Sequence, residues 1–235
     1  MPKTARVAIC ASVIFATFVV WVLSGRSHGD AVKAVDDVVF VLLTIPAAVF
    51  TALAARAVHG RLRAAWIAIT IGMVGWALGE VLWAYYELAL EEPPPFPSLA
   101  DAAYLIMPVG FGVGLLLFPP ADSGQLRART LLDGVIVAGS LFLVSWVTIL
   151  NPIYSAGSDG APAVIISLAY PLSDVVVLTI AAMAWLRAAT INAGVSTLLT
   201  IAMAFIALSD SGFAYLSAKN DYSSGNLIDI GWVAG

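Results

Sequence analysis

The chain has 235 residues, of which 61% are hydrophobic and 11% are charged. Soluble globular proteins are about 45–50% apolar and about 25% charged, so this composition, with a mean hydropathy of +0.96, is typical of a polytopic membrane protein. The net charge of −4 argues against nucleic acid as a partner, and the single cysteine excludes an internal disulfide and cysteine-ligated metal clusters.

Apolar stretches follow one another along the whole chain. Because a hydrocarbon core of about 30 Å requires about 20 apolar residues in a helix, we predict an all-α membrane bundle of about eight transmembrane helices. The predicted spans are 7–24, 38–56, 64–88, 101–118, 130–150, 162–186, 194–216 and a stretch that begins at 227. The eighth stretch is truncated at Gly235, which predicts that the chain is the front piece of a longer protein.

The cations that flank these spans indicate an orientation, since cytoplasmic loops of membrane proteins are enriched in Lys and Arg. With a cytoplasmic N-terminus, the inner cations are Lys3, Arg6, Arg56, Arg61, Arg63, Arg127, Arg129 and Arg187. The outer cations are Arg26, Lys33 and Lys219. This distribution predicts a multi-pass protein of the cytoplasmic membrane with both chain ends in the cytoplasm.

Parts of the two halves of the sequence resemble each other. The matched segments are 77–85 with 207–215, 99–104 with 227–232, and 37–45 with 174–180. Since the matches occur in the same order, we predict a single membrane domain, 1–235, built from two repeats, about 1–120 and about 121–235. Four helices per unit is an even number, so the two repeats would enter the membrane alike and be parallel.

Each matched segment carries an acidic residue in or beside an apolar span. The pairs are Asp37 with Asp174, Glu80 with Asp210, and Asp101 with Asp229. Counting about 1.5 Å of helix rise per residue, we expect five of the six near the outer side of the membrane and Asp174 near its middle. Carboxylates in such surroundings are usually protonated, paired or turned toward a watery cavity.

These acids have two interpretations. In the functional one, acids and neighbouring tyrosines line an outward-facing pocket for a cation or a small polar ligand, and oxygen ligands would suit a hard metal ion, whose identity stays open. The candidate ligand-binding residues are Glu80, Asp174, Asp210, Tyr85, Tyr170 and Tyr215. In the structural one, the acids cap helices and bond between them. We favour the structural role for Asp101, Asp229 and Asp37, and for the other three acids both interpretations stay open.

Glycines at 110, 112 and 114 lie within an apolar span and follow no strand. We therefore interpret them as a face of small residues for close helix packing and not as a phosphate-binding loop.

Three segments resemble the N-terminal membrane region of actinobacterial GGDEF and EAL signalling proteins. They are 97–104 after a proline-rich loop, 170–174, and Asp210 with Tyr215, and the resemblance covers roughly residues 64–235. In that family, the membrane region precedes cytoplasmic domains that make or degrade cyclic di-GMP. The resemblance implies that a similar output domain follows this chain. The catalytic motifs of those domains do not occur in residues 1–235, so we expect no catalysis in this segment.

Together these features predict a sensory or anchoring membrane domain that couples an outer-side ligand, or the state of the membrane, to a cytoplasmic signalling domain. The lipid bilayer, an unknown small ligand or cation, and a second copy of the chain are its expected partners, and no cofactor is expected. Two alternatives stay open. The repeat and the mid-depth acid Asp174 also fit a small-solute or ion transporter, and the bundle could be a passive anchor or dimerisation module.

Overall fold

The computed structural model describes residues 3–23, 30–92, 94–118, 127–151, 161–186, 193–217, 222 and 224–235, and every regular element in these ranges is a helix. The helices are α1 (Lys3–Leu23), α2 (Asp30–Ala57), α3 (Gly60–Ala84), α4 (Leu99–Tyr104), α5 (Ile106–Leu117), α6 (Arg127–Ser145), α7 (Ala161–Leu186), α8 (Ala193–Ser217) and α9 (Asp229–Ala234). Turns of π-helix extend α3 over Tyr85–Ala89 and α6 over Trp146–Leu150.

Six stretches of the described chain are long and apolar enough to cross a membrane. They are Val32–Ala57, Gly60–Ala89, Leu99–Leu117, Leu132–Leu150, Pro162–Leu186 and Ala193–Ser217, and the apolar part of α1, Ser12–Leu23, is shorter. The prediction of an all-helical fold is therefore confirmed, and the apolar helices are consistent with a multi-pass membrane protein. Among the cations used to predict the orientation, Arg26, Arg187 and Lys219 lie outside the described residues.

Helix α3 is the centre of the first half of the chain. It packs along α2 on one side and along α4 and α5 on the other. In the second half, α7 packs against α8 and α6 and also contacts α5, which joins the halves. The short helix α9 packs on α8 and touches α1.

The main apolar core lies where these halves meet. Ile69 of α3 and Ala181 of α7 are fully buried in it, together with Phe111 and Leu115 of α5 and Met203 of α8. A second, smaller cluster joins Phe18 of α1 and Phe40 of α2 to α9. Helix α6 contributes little to either, since large apolar side chains cover its surface and are exposed, as expected for a helix that faces lipid.

Small residues allow α3 and α5 to approach closely, as the glycine spacing predicts. A Cβ atom added to Gly110 would lie 2.6 Å from the backbone oxygen of Ala68 and 2.6 Å from the backbone nitrogen of Gly72. One added to Gly114 would lie 3.0 Å from the backbone oxygen of Ala65. Contacts this short leave no room for any side chain, so glycine at these positions sets the distance between the two helices.

Two boundaries differ from the sequence prediction. Helix α2 begins at Asp30, well before the predicted span at 38. The prediction began too late because polar residues lower the hydropathy of this part of the sequence. Two of them, Asp36 and Asp37, are nevertheless buried. The predicted span 101–118 is split at Leu105 into α4 and α5. Pro108 explains the break, since it has no N–H for the carbonyl one turn before it and its ring disfavours a continuous helix there.

Candidate functional site

One end of the bundle gathers acidic side chains from four elements. Helix α2 starts there and α3 ends there, while α9 begins beside them, so residues far apart in sequence become neighbours. The group, which we call the acidic cluster, comprises Asp36, Asp37, Glu80, Glu87 and Asp229, and Asp36 interacts electrostatically with each of the other four.

Four of these acids are almost completely removed from solvent. The exposed fractions of Asp36, Asp37, Glu80 and Asp229 are 5%, 4%, 9% and 0%. Burying an ionised carboxylate costs several kcal/mol unless charges or hydrogen bonds compensate for the lost hydration. Lys33, one turn before Asp37, offsets part of the charge at Asp37 but is exposed. Neutral donors must therefore supply most of the compensation.

Glu80 receives such donors from two aromatic residues. The indole nitrogen Nε1 of Trp76, one turn earlier on α3, donates to Glu80 Oε1 at 2.7 Å. The hydroxyl of Tyr104, at the end of α4, also hydrogen-bonds to Glu80. The ring of Tyr104 occupies the space beside Gly79, where a Cβ atom would lie 2.5 Å from it. Glycine before the acid thus lets the tyrosine reach the carboxylate.

Asp101 combines a helix cap with a contact between helices. Its Oδ2 accepts hydrogen bonds from the backbone nitrogen of Ser98 at 2.7 Å and from Ser98 Oγ at 2.9 Å, which is the capping-box arrangement at the start of α4. Its Oδ1 accepts from the Tyr170 hydroxyl of α7 at 2.8 Å. Asp101 therefore both caps α4 and connects the two halves of the chain.

Asp229 has a similar set of donors at the start of α9. The backbone nitrogen of Asn226 donates to Asp229 Oδ2 at 2.7 Å, and the Tyr222 hydroxyl donates to Oδ1 at 3.3 Å. Burial, and next the charge of Asp229, raise the pKa of the Tyr222 hydroxyl well above its ordinary value, so Tyr222 keeps its proton and remains a donor.

Asp174 and Asp210 form a pair between α7 and α8. Trp232 Nε1 of α9 donates to Asp210 Oδ1 at 2.7 Å. The side chains of Asp174 and Asp210 hydrogen-bond to each other. A carboxylate has no hydrogen to donate, so a hydrogen bond between two carboxyl groups requires a proton on one of them.

Three acids keep a buried oxygen atom without a hydrogen-bond partner. The atoms are Asp36 Oδ1, Asp37 Oδ2 and Asp174 Oδ2. Unsatisfied buried polar atoms are rare in folded proteins, and each requires a physical reason. These three lie at the acidic cluster and the neighbouring pair, so this end of the bundle has unused capacity to bind hydrogen-bond donors or positive charge.

The tyrosines predicted to bind a ligand take different positions. Tyr170 contacts Asp101, as described above. Tyr85 and Tyr215 are 54% and 50% exposed, and the ring of Tyr85 packs against that of Tyr86 with centroids 6.2 Å apart. Of the three tyrosines, Tyr170 is thus the one that lies in the interior with the acids.

Sequence reasoning missed several participants. It did not single out Asp36, nor the donors Trp76 and Tyr222. The spacing of four residues between Trp76 and Glu80 is the signal that would have found one of these contacts, because such residues face each other on a helix. Nothing local in the sequence marks Tyr222, whose partner Asp229 depends on the path of the intervening chain.

The described residues contain no group of three His, Cys, Asp or Glu side chains arranged to hold a metal ion. The chain matches no protein-family model, no curated protein and no solved structure. What the site can do must therefore be argued from its own chemistry.

Proposed function

We propose that the chain is a sensory and anchoring domain of the cytoplasmic membrane. In this proposal, the occupancy of the acidic end of the bundle biases the packing of α9, and α9 passes the change to a cytoplasmic signalling domain. The chain itself carries no catalysis. Cyclic di-GMP turnover is the output implied by the resemblance of residues 64–235 to the membrane regions of GGDEF and EAL proteins.

The main support for this proposal is that acidic side chains are buried between helices with little opposite charge among the described residues to compensate for their lost hydration. Asp36 and Asp229 belong to different helices, interact electrostatically and are almost fully buried. A passive anchor has no need of such groups, because they cost stability and apolar residues would pack as well. Intramembrane ionisable residues are commonly kept for function.

A duplication of four-helix units is part of the proposal, with eight spans, parallel repeats and both ends of the chain in the cytoplasm. Equivalent contacts support it. Tyr104 bonds to Glu80, and Trp232, which aligns with Tyr104, bonds to Asp210, which aligns with Glu80.

The caps agree as well. Asp101 and the aligned Asp229 each accept a bond of 2.7 Å from the backbone nitrogen three residues earlier, and each also accepts one from a tyrosine hydroxyl.

The test joins residues 1–235 to a diguanylate cyclase reporter and measures cyclic di-GMP made by membranes. We expect the double replacement of Glu80→Gln and Asp210→Asn to change the output strongly, because both acids connect helices through aromatic donors. Asp133→Asn in α6, away from the acidic end, is the matched control. Equal output from wild type and the double variant would favour a passive anchor instead.

A transporter is the second candidate, and one observation favours it. Asp174 and Asp210 hydrogen-bond to each other and each lies within a candidate span, and acids inside spans commonly belong to ion or proton pathways. Uptake of labelled cations and of protons by liposomes that contain the purified chain separates the two functions. A sensor moves no solute, whereas a carrier gives uptake that Asp174→Asn reduces.

A further inference from the structure

Acidic residues of two other helices interact with α9 at two places. At its first residue, Asp229 interacts electrostatically with Asp36 of α2, and among the charges that act on Asp36 that of Asp229 has the largest effect. One turn later, Trp232 donates to Asp210, which in turn bonds to Asp174. Each place thus involves two acids, Asp36 with Asp229 and Asp174 with Asp210. Asp229 belongs to α9, and Asp210 accepts a hydrogen bond from it.

The two members of each pair differ in the donors that the protein supplies. Asp229 receives hydrogen bonds from Asn226 and Tyr222, and Asp210 receives one from Trp232. These donors stabilise an ionised carboxylate. Asp36 and Asp174 instead each retain a buried oxygen without a partner. In each pair, therefore, the protein supplies hydrogen-bond donors to one acid and leaves an oxygen of the other without a partner.

The free space around these atoms limits what can neutralise them. Each unpartnered oxygen has less than 1 Å² of accessible surface, so an organic cation does not fit without opening the bundle. The described residues offer no group of three ligands for a metal ion. A proton needs neither space nor a ligand set, and it removes the charge of the unpartnered acid.

Resting on the proposed sensory function, we propose that the ligand of this end of the bundle is the proton: protons on Asp36 and Asp174 hold α9 in place, and their release frees it. With both protons bound, each pair carries at most one negative charge, and the hydrogen bond between Asp174 and Asp210 is charge-assisted. With both lost, Asp36 faces Asp229 and Asp174 faces Asp210 as like charges in a medium of low dielectric, which repel strongly.

Other charges around the two sites do not reverse this direction. The charges that act on Asp36 are those of Asp37 of α2, Glu80 of α3, Glu87 of the π turn and Asp229 of α9, while Lys33 acts on Asp37. Around the second pair, Tyr170 interacts with Asp210 and with Asp101. The groups that act on Asp36 are all acids, so they favour proton binding further. The docked state therefore binds more protons than the released state, and docking weakens as pH rises.

The experiment measures hydrogen exchange of the full chain in lipid nanodiscs between about pH 5 and about pH 10, with correction for the intrinsic chemical exchange rate. For wild type we expect the protection of the α9 amides to fall by about tenfold or more across this range, while that of the α3 amides stays constant. Asp36→Asn with Asp174→Asn should keep α9 protected throughout, since the amides are neutral at every pH. Asp133→Asn should behave as wild type.

A second measurement detects the bound protons themselves. The infrared band of protonated carboxyl groups should lose intensity in each of the variants Asp36→Asn and Asp174→Asn, with no change in Asp133→Asn. Protection of α9 that is independent of pH in wild type, or equally pH-dependent in the double Asn variant, would overturn the proposal. Neither measurement uses the signalling output, so a silent reporter with a pH-dependent α9 would refute the sensory function and leave the proton sites intact.

Discussion

Trp232 and Asp210 join the last described helix to the bundle by one hydrogen bond of 2.7 Å between the indole nitrogen and a carboxylate oxygen. Three rings surround the same indole. The centroids of Phe213, Phe40 and Tyr222 lie 5.7, 6.3 and 6.4 Å from it. Trp232 thus combines apolar packing against α2, α8 and Tyr222 with one polar contact, which is the usual behaviour of a tryptophan in a protein interior.

Replacing Trp232 by Phe separates these two contributions, because the ring is kept and the donor is lost. Asp210 then loses its indole partner, and we expect the free energy of unfolding to fall by about 1–3 kcal/mol. Denaturant titration in detergent micelles measures it. Trp146→Phe is the control, since Trp146 is 44% exposed and packs against Phe142, a contact that phenylalanine preserves. Equal stability of the two variants would contradict the assigned role of the indole.

The proposed duplication makes its own prediction through Tyr104. If Tyr104 and Trp232 are equivalent, Tyr104→Phe removes one donor from Glu80 just as Trp232→Phe removes one from Asp210. We expect losses of similar size, about 1–3 kcal/mol, that add in the double variant because the two contacts share no partner. The same denaturant titrations test this. A large effect of one variant beside no effect of the other would argue against equivalent units.

Tyr170→Phe tests the hydrogen bond that connects α7 to α4. It removes the hydroxyl that donates to Asp101 at 2.8 Å while the cap from Ser98 remains. Since the lost bond leads to a carboxylate, we expect a destabilisation of about 1.5–3 kcal/mol. Thermal unfolding in nanodiscs provides the measurement. Tyr85→Phe, at a tyrosine that is 54% exposed, should change the melting temperature little. A comparable shift in both variants would contradict a stabilising role for the bond from Tyr170 to Asp101.

Gly110→Ala tests the close packing of α3 and α5. The added methyl group meets backbone atoms of Ala68 and Gly72, which cannot move aside as a flexible side chain would. Overpacking of this kind costs about 1–3 kcal/mol. Gly139→Ala in α6 is the matched control, because a Cβ atom there has no neighbour within 4 Å. Alanine favours helix over glycine, so this control should be neutral or more stable by up to about 1 kcal/mol, and the opposite ranking would contradict the packing.

The sequence by itself determined the helical class of this protein and the approximate position of most of its long apolar helices. Hydropathy depends only on local composition, and a lipid environment requires a spanning segment to satisfy its backbone hydrogen bonds within one helix. Glycine spacing likewise indicated the close contact of α3 with α5, and the position of Asp101 at a helix start suggested a cap.

Only the tertiary structure decided which acids meet and which donors they receive. Asp36 interacts electrostatically with Asp229 although most of the chain separates them, and Tyr170 bonds to Asp101 from the other half of the chain. Such partners depend on how helices rotate and pack, which local patterns do not encode. A carboxylate in an apolar stretch of sequence shows that the cost of its burial must be compensated. The three-dimensional arrangement determines whether a tryptophan, a tyrosine or a proton provides that compensation.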